Sequence, residues 1–345
     1  MPLADRGSRT QKSPSDQVLH ERTSCDGSGT EGGGWLDLPY HYPPASSRSA
    51  NRPSLHPHST TSARVHSWRV TENLDRTDDP VGPARDVAFL SAVRPVLERF
   101  ASYFRSEVRG FDRLPERGPF LVVGNHSGGQ MPPDLPVLLT AWWRERGQDE
   151  PVYALFHSFL LGLPGVGPTM RRAGAVDATP AGAEGVLRGN GILIDYPGGD
   201  YEVFRPWRDR NRIDFGERTG FVRLALRLQV PVVPAVSVGA HETVVVLARG
   251  QRVARLLGLD RIFRIKVMPL VFGPPFGVVP GGIPTLPFPA KITVELCEPI
   301  DWSKRYGPEA AEDNVVVRRC YDELTSTMQT VLDRLAGERR FPVLG

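Results

Sequence analysis

Short apolar segments of strand length alternate with amphipathic helical segments along most of this 345-residue chain. The apolar segments cover residues 120–123, 152–156, 191–195, 230–238 and 291–297. Helical periodicity falls between and after them, at residues 134–146, 181–188, 220–228 and 309–335. Such alternation is typical of one α/β domain with helices on both faces of a sheet. We therefore predict a single domain over residues 83–340, with a mixed, mostly parallel sheet flanked by helices.

Residues 1–82 differ in composition from the rest, being rich in Ser, Gly, Pro and Thr, and they show no sustained periodicity. A segment of this kind cannot bury enough apolar surface to offset the entropy that is lost on ordering. We predict a disordered N-terminal tail that precedes the domain. Five of the eight histidines fall in this tail. Three remain for chemistry in the folded domain: His126, His157 and His241.

Composition argues against several classes of function. The net charge of +3 is too small to indicate a concentrated basic face, so we expect no nucleic-acid partner. The three cysteines form no CxxC pair and no metal-ligand spacing, so we expect neither a disulfide framework nor a metal site. We find no signal peptide and no stretch of about 20 apolar residues. We expect a cytoplasmic protein that is peripheral on the inner face of the membrane.

Three segments bear on the membrane expectation. Residues 83–109 form a predicted amphipathic helix with arginines between its apolar positions, which Pro95 should kink or split. This helix either docks on the core or lies at a membrane interface. Residues 247–266 are helical in pattern and basic, and residues 267–290 contain no charge but seven prolines and four glycines. The uncharged, irregular segment could be a membrane-facing flap, the wall of an acyl tunnel or a buried loop.

The sharpest chemical signal directly follows the strand at residues 120–123 and reads Gly124-Asn125-His126-Ser127-Gly128-Gly129. Ligands of α/β sheets gather at the carboxyl ends of strands, and glycines let a substrate approach the backbone closely. His126 is therefore well placed to act as a general base. The alternative is a structural histidine whose ring is satisfied within the fold.

Asp134 follows His126 by eight residues, at the start of a predicted helix. A carboxylate that is bonded to one ring nitrogen of a histidine fixes the tautomer and raises the basicity of the other nitrogen. Asp134 could instead cap the helix, and one side chain could not easily perform both roles.

A second polar element follows the strand at residues 191–195. The sequence Pro197-Gly198-Gly199 predicts a tight turn. The turn ends in more charge than a simple reversal of the chain requires, namely Asp200, Glu202 and Arg205.

Four blocks, in this order, resemble those of the phospholipid/glycerol acyltransferase superfamily, whose members share the lysophospholipid acyltransferase fold. The blocks are Asn125-His126…Asp134, residues 168–176 (PTMRRAGAV), residues 196–200 (YPGGD) and residues 230–234 (VPVVP). Three further segments are similar to the diacylglycerol acyltransferase-like branch: residues 197–202, 218–221 and 238–242. The resemblance covers about residues 85–335.

The resemblance implies a membrane-associated O-acyltransferase of glycerolipid and phospholipid biosynthesis, with acyl-CoA or acyl carrier protein as donor and a glycerolipid as acceptor. His126 would be the general base, and Asp134 would orient its ring. Arg171 or Arg172 would face a headgroup or a phosphate of the donor. No cofactor or metal is implied, because the thioester is already activated. The remaining substrate-binding residues would be Asn125, Ser127, Gly128, Gly129, Pro197, Gly198, Gly199, Asp200, Glu202 and Arg205.

The sequence departs from the superfamily pattern in two places. The usual spacing is shorter than the seven residues that separate His126 from Asp134 here. The block usually written Phe-Pro-Glu-Gly-Thr-Arg lacks its Glu and Arg at residues 196–201. That arginine would bind a phosphate of the acceptor, so its absence favours mono- or diacylglycerol over lysophosphatidate, unless Arg205 substitutes for it.

Two other functions compete with the acyltransferase interpretation. Residues 125–129 nearly spell the nucleophile elbow G-x-S-x-G of an α/β-hydrolase, with Ser127 as nucleophile and His241 to complete a triad. Asn125, however, stands where the elbow requires glycine. The second competitor is a catalytically inactive lipid-binding protein on the same fold, which the long spacing between His126 and Asp134 would favour.

Overall fold

The computed structural model of the protein describes residues 85–250, 268–341 and 343. The predicted tail at residues 1–82 lies outside the described residues, as does most of the basic segment at residues 247–266. The described ranges contain ten strands: β1 Glu107–Arg109, β2 Phe120–Gly124, β3 Val152–Phe156, β4 Ala175–Asp177, β5 Ile192–Asp195, β6 Val232–Val238, β7 Val245–Ala248, β8 Leu270–Gly273, β9 Gly277–Pro280 and β10 Thr293–Leu296. The same ranges contain eight α-helices: α1 Val87–Tyr103, α2 Asp134–Glu145, α3 Ser158–Leu161, α4 Val166–Arg172, α5 Pro180–Arg188, α6 Gly199–Val203, α7 Gly220–Leu228 and α8 Asn314–Gly337.

Seven of these strands form one sheet in the order β1-β10-β6-β2-β5-β3-β4. The five strands from β6 to β4 are parallel, β10 runs antiparallel to β6, and β1 is parallel to β10. The predicted mixed, mostly parallel sheet is therefore confirmed. Because β6, β2 and β5 are adjacent and parallel, their carboxyl ends meet at one edge, where Val123 pairs with Asp195.

Successive residues of β2 point to opposite faces of the sheet, and both faces are covered. Leu121 and Val123 belong to a core that includes buried side chains of α5, α7 and α8. Phe120 and Val122 belong to a second core, which buried side chains of α1 and α2 complete. Burial on both faces explains why the central strands are continuous apolar runs. The predicted flanking of the sheet by helices on both faces is confirmed.

Local signals at the helix ends agree with this arrangement. The Thr179 side chain accepts a hydrogen bond from the Gly182 N–H at 3.1 Å, and Pro180 occupies the first position of α5. The side chain of Asp313 caps α8 by accepting from the Val315 N–H at 2.8 Å. These caps satisfy backbone donors that have no partner within the helix.

The first helix and the short elements differ in part from what the sequence predicts. Helix α1 is one continuous helix with Pro95 inside it, so it is not split in two. The loss of one backbone hydrogen bond at Pro95 is outweighed by packing, since Leu90 and Ala101 of α1 are buried. Strands β1 and β4 and helices α3, α4 and α6 were not predicted, because three to seven residues are too few to show a periodicity.

The segment around residues 245–290 also differs from the prediction. Strands β7, β8 and β9 form a separate antiparallel sheet in this order. Leu247 and Ala248, which were predicted to start a basic helix, end strand β7. Residues 270–280 form a hairpin, although their prolines and glycines predicted an irregular segment. The hairpin forms because Val271 and Val279 can both be buried on one face while the prolines occupy its turn and ends.

Candidate active site

His126 lies just beyond the end of β2, at the edge where the parallel strands β6, β2 and β5 end. Its Nδ1 atom is 3.2 Å from Oδ2 of Asp134. Its ring stacks on Tyr196, with centroids 4.6 Å apart and planes inclined by 23°. About 19% of the His126 side chain remains exposed. Among the described residues no group bonds to Nε2, so this nitrogen is the one that can meet a substrate.

Asp134 is the first residue of α2, but it does not cap the helix. The N-cap position is Pro133, which makes no side-chain cap. Oδ2 of Asp134 accepts the backbone N–H of Ser127 at 2.7 Å, and Oδ1 accepts the hydroxyl of Ser237 at 2.8 Å. With the His126 ring as a third partner, these bonds compensate for burying a carboxylate that is only 1% exposed. Asp134 therefore contacts the ring of His126 and does not cap helix α2.

Asn125 connects the strand that carries His126 to its neighbour β6. Its side-chain amide donates to the carbonyl of Ser237 at 2.8 Å and accepts the Ser237 N–H at 2.7 Å. Ser237 thus binds both Asn125 and Asp134, yet it was not among the predicted site residues. The available signal was one hydroxyl in an otherwise apolar strand, residues 230–238. Asn125 is buried and positions the site instead of facing an open space.

Two glycines let the long connection from His126 return to Asp134. Gly128 and Gly129 have φ values of +101° and +67°, which favour glycine. A Cβ atom on Gly128 would lie 2.6 Å from Cδ of Pro133. The seven intervening residues therefore form a compact loop, and the longer spacing does not separate the histidine from its acid.

The turn that contains Pro197 and Gly198 is held by an arginine that was not predicted as a site residue. Arg218 donates to the carbonyls of Pro197 and Gly198 at 2.9 and 2.8 Å, and it pairs with Asp200 at 2.9 Å. A Cβ atom on Gly198 would overlap the Glu202 side chain, so the turn requires glycine there. Arg218 belongs to the motif at residues 218–221, which was the signal for it.

Glu202 and Arg205 form an enclosed ion pair behind His126. Oε1 of Glu202 lies 2.7 Å from Arg205, and Oε2 accepts the backbone N–H of His126 at 2.8 Å. Burial raises the pKa of Glu202, while the Arg205 charge opposes that shift. Arg205 also donates to the carbonyls of Arg212 and Asp214. Both side chains are at most 1% exposed, so the predicted substrate contacts from Glu202 and Arg205 do not fit this geometry.

Arg171 and Arg172 lie at the end of α4, beside the edge strand β4. Arg171 pairs with Asp177 at 2.8 Å, and Arg172 pairs with Asp86 at 2.7 Å. Both arginines are about half exposed, so solvent competes for these pairs. Within the described ranges no hydrogen bond joins either arginine to the His126 network.

The acid at the end of β5 has an unusual environment. Burial raises the pKa of Asp195 to about 7, against the opposing charge of Arg218. Burial also raises the pKa of the adjacent Tyr196, the residue on which the His126 ring stacks. Neither residue was predicted as part of the site, although both belong to the YPGGD block or precede it directly.

The triad that an α/β-hydrolase would need is not assembled. His241 is buried, and burial together with the charge of Arg205 lowers its pKa to about 3. Neither ring nitrogen of His241 has a hydrogen-bond partner among the described residues. The Ser127 side chain likewise bonds to no histidine in this part of the chain, and Ser127 is 3% exposed.

The described residues contain no group of three or more His, Cys, Asp or Glu side chains that could hold a metal ion. They also contain no helix that is both long and apolar enough to cross a membrane.

The fold and the site define an α/β protein whose central strand presents a hydrogen-bonded His–Asp pair at the carboxyl edge of the sheet. The family model described as Acyltransferase matches residues 105–238, which include His126, Asp134 and the turn at Gly198. An uncharacterized protein of Mycobacterium tuberculosis is 32% identical over 257 residues, which cover 74% of this chain and 69% of that protein. The chain therefore belongs to the acyltransferase family, and membership implies an acyl donor and a lipid acceptor as substrates.

Two more similarities extend this comparison. A human protein named "DGAT1/2-independent enzyme synthesizing storage lipids" is 25% identical over 228 residues, which cover 66% of this chain and 61% of that protein. The crystal structure of the 1-acyl-sn-glycerophosphate (LPA) acyltransferase PlsC from Thermotoga maritima aligns with a TM-score of 0.47 and 17% sequence identity. That alignment covers 73% of this chain and 80% of that one.

Proposed function

We propose that the protein transfers a fatty acyl group from a thioester, acyl-CoA or acyl carrier protein, to a hydroxyl of a glycerolipid acceptor. The observation that carries this proposal is the contact of 3.2 Å between His126 Nδ1 and the buried Asp134 carboxylate. A carboxylate partner favours the tautomer with hydrogen on Nδ1, which leaves a lone pair on Nε2. A base with this orientation suits the activation of an alcohol.

The reaction then needs one proton relay. Nε2 of His126 removes the proton from the acceptor hydroxyl while its oxygen attacks the carbonyl carbon of the thioester. The tetrahedral intermediate collapses, the carbon–sulfur bond breaks, and the thiolate leaves with the proton that His126 returns. Asp134 stabilises the imidazolium that exists between the two transfers. The thioester supplies the activation, so this route calls for no metal or cofactor.

The oxyanion of the tetrahedral intermediate needs hydrogen-bond donors. Backbone N–H groups that already bond within the fold are poor candidates for this role. The N–H groups of His126 and Ser127 already donate to Glu202 and Asp134. Those of Gly129 and Gly199 donate to the carbonyls of Val203 and Tyr196. Within the described ranges, the N–H groups of Gly128 and Gly198 make no hydrogen bond. These two groups are the proposed donors to the oxyanion.

We propose an uncharged acceptor, mono- or diacylglycerol. The arginine that the superfamily would use for an acceptor phosphate is missing at residues 196–201. Arg205, the one substitute that the sequence offered, is enclosed by Glu202 and by backbone carbonyls. The similarity to a human enzyme whose name refers to storage lipids favours the same acceptor class.

A panel of acceptors tests this proposal. Labelled acyl-CoA and labelled acyl carrier protein are each incubated with the protein and monoacylglycerol, diacylglycerol or lysophosphatidate, and the ester products are separated. We expect label in the product of an uncharged acceptor. Faster transfer to lysophosphatidate would contradict the proposed acceptor. Hydrolysis of the donor without any ester would favour a hydrolase, and an intact donor in every mixture would favour an inactive lipid-binding protein.

A further inference from the structure

The small sheet β7–β8–β9 carries apolar side chains on both of its faces. Its inner face is closed, because Val246, Val271 and Val279 pack with Val244 and Phe204. Side chains alternate between faces along a strand, so their neighbours on β8 and β9 lie on the opposite face, where they are exposed. The turn and the segment after β9 carry further exposed apolar side chains. We call these residues the outer face: Leu270, Phe272, Phe276, Val278, Ile283 and Leu286.

The outer face has no polar cover of its own. An antiparallel sheet with one solvated face ordinarily presents polar side chains there. Residues 268–290, by contrast, contain no Asp, Glu, Lys or Arg. Phe276, in the turn between β8 and β9, leaves 62% of its surface exposed. Contiguous exposed apolar side chains mark a place where a protein meets another apolar surface.

Hydrogen bonds join the segment that borders the outer face to the C-terminal end of helix α1. The Tyr103 hydroxyl donates to the carbonyl of Pro287 at 2.8 Å, and Arg105 donates to the carbonyl of Pro289 at 2.9 Å. Phe272 stacks on Phe288 with ring centroids 6.2 Å apart. Tyrosine and arginine combine an apolar body with a polar tip, which suits the boundary between an apolar phase and water.

The sequence that joins β7 to β8 is basic. It departs from Ala248 and returns at Leu270, and these two residues are paired across the strands. Its sequence at residues 249–267 contains six basic residues and a single acidic one, Asp260. The basic residues are Arg249, Arg252, Arg255, Arg261, Arg264 and Lys266.

We propose that the outer face docks the protein onto a lipid bilayer that contains anionic phospholipid. Apolar side chains such as Phe272 and Phe276 enter the boundary between headgroups and acyl chains. The excess of basic residues in the sequence between the paired residues Ala248 and Leu270 favours a bilayer with anionic headgroups. A second copy of this chain is a poorer occupant, because self-association through this face would bring two basic segments together. This proposal rests on the proposed function in one respect, because the bilayer is then the place where the enzyme binds its lipid acceptor.

Vesicle flotation without any acyl donor tests the docking separately from catalysis. The full chain is mixed with vesicles of phosphatidylcholine alone or of phosphatidylcholine with phosphatidylglycerol, at low and high salt. We expect flotation with the anionic vesicles at low salt, and less binding at high salt because ions screen the headgroup charge. Phe276→Asp should lower the ratio of bound to free protein roughly tenfold or more, because a charge cannot enter the apolar boundary.

A matched pair of variants separates the outer face from any exposed apolar residue. Val278 on the outer face is 54% exposed, and Val315 on α8 is 67% exposed. Val278→Asp should weaken vesicle binding as Phe276→Asp does, whereas Val315→Asp should leave it unchanged. Circular dichroism verifies that each variant is folded.

Three results would overturn the docking proposal. The wild type could stay off anionic vesicles at low salt, or Val315→Asp could lose as much binding as Val278→Asp. Light scattering could also reveal a dimer that Phe276→Asp dissociates, which would make a second copy the occupant. Transfer to a detergent-dispersed acceptor is measured in parallel. Transfer without vesicle binding contradicts the docking alone, and binding without transfer contradicts the proposed reaction alone.

Discussion

At the scale of single residues, the site depends on how the two oxygens of one carboxylate are used. Asp134 accepts the Ser127 N–H and the His126 ring on Oδ2, and the Ser237 hydroxyl on Oδ1. Each of these groups donates, so the carboxylate has to be an acceptor throughout. A side chain that donates at this position would disturb the ring of His126 without changing the shape of the site.

Asp134→Asn tests this dependence. The amide would place an N–H₂ group against at least one of the three donors and would favour the wrong tautomer of His126. We expect kcat to fall on the order of a thousandfold or more, with KM and the secondary structure little changed. Steady-state transfer rates and circular dichroism measure the two effects. A rate within a few-fold of the wild type would show that Asp134 does not orient the base.

Ser127→Ala tests the competing nucleophile at the same scale. Ser127 contributes its backbone N–H to Asp134, and alanine retains that group. We therefore expect transfer within a few-fold of the wild-type rate. Loss of all turnover, together with wild-type folding, would instead indicate that Ser127 is the nucleophile of a hydrolase.

At the scale of elements, the loop between β2 and α2 determines whether His126 and Asp134 meet. Gly128 and Gly129 both adopt positive φ, and the loop packs against the segment that follows β6. Glu202 of α6, which is paired with Arg205, supports the loop because its carboxylate accepts the His126 N–H. The position of His126 is therefore set by the segments that follow strands β2, β5 and β6.

Gly128→Ala should disturb this loop, and Gly147→Ala is its matched control. Both glycines have positive φ, +101° and +87°, so alanine costs each on the order of 1 kcal/mol in stability. A Cβ atom at Gly128 would also press on Pro133, whereas nothing lies within 4 Å at Gly147. Gly128→Ala should lower kcat in addition to the melting temperature, and Gly147→Ala should lower only the latter. Equal kcat values for the two variants would contradict this account of the loop.

The elements also indicate how far the sequence predicts this fold and site. Strands β2, β5 and β6 are apolar runs bounded by turn residues, so they and the residues after them were predictable. Ser237 and Arg218 were missed because their roles depend on partners 103 and 20 residues away. Arg205 was assigned to substrate because charge is visible in a sequence, whereas its enclosure results from tertiary packing. Strands β8 and β9 were missed because their prolines are visible in the sequence, whereas the burial of Val271 and Val279 results from tertiary packing.

At the scale of the whole molecule, the sheet buries titratable groups at the edge where its strands end. Asp195 is the clearest case, since burial raises its pKa from 3.8 to about 7. The folded state therefore holds a proton on Asp195 between about pH 4 and pH 7, where the unfolded state has released it. The free energy of unfolding consequently falls as the pH rises through this range.

Asp195→Asn should remove this dependence on pH. The difference between the two pKa values, 3.8 and about 7, corresponds to at most about 4 kcal/mol, which the wild type loses by pH 8. We expect the variant to gain stability relative to the wild type at pH 8 and to differ little from it near pH 4. Urea unfolding at the two pH values measures this. A larger relative stability of the variant at the lower pH would contradict the assignment.

The most direct test of the central claim is the transfer of labelled acyl groups from acyl-CoA to diacylglycerol by His126→Ala, beside the wild type. His157→Ala serves as the control, because the side chain of His157 caps α3 by accepting the Phe159 N–H at 3.1 Å. We predict that His126→Ala loses transfer by about a hundredfold or more while it remains folded, and that His157→Ala retains it. Transfer by folded His126→Ala at the wild-type rate would contradict the assignment of His126 as the general base.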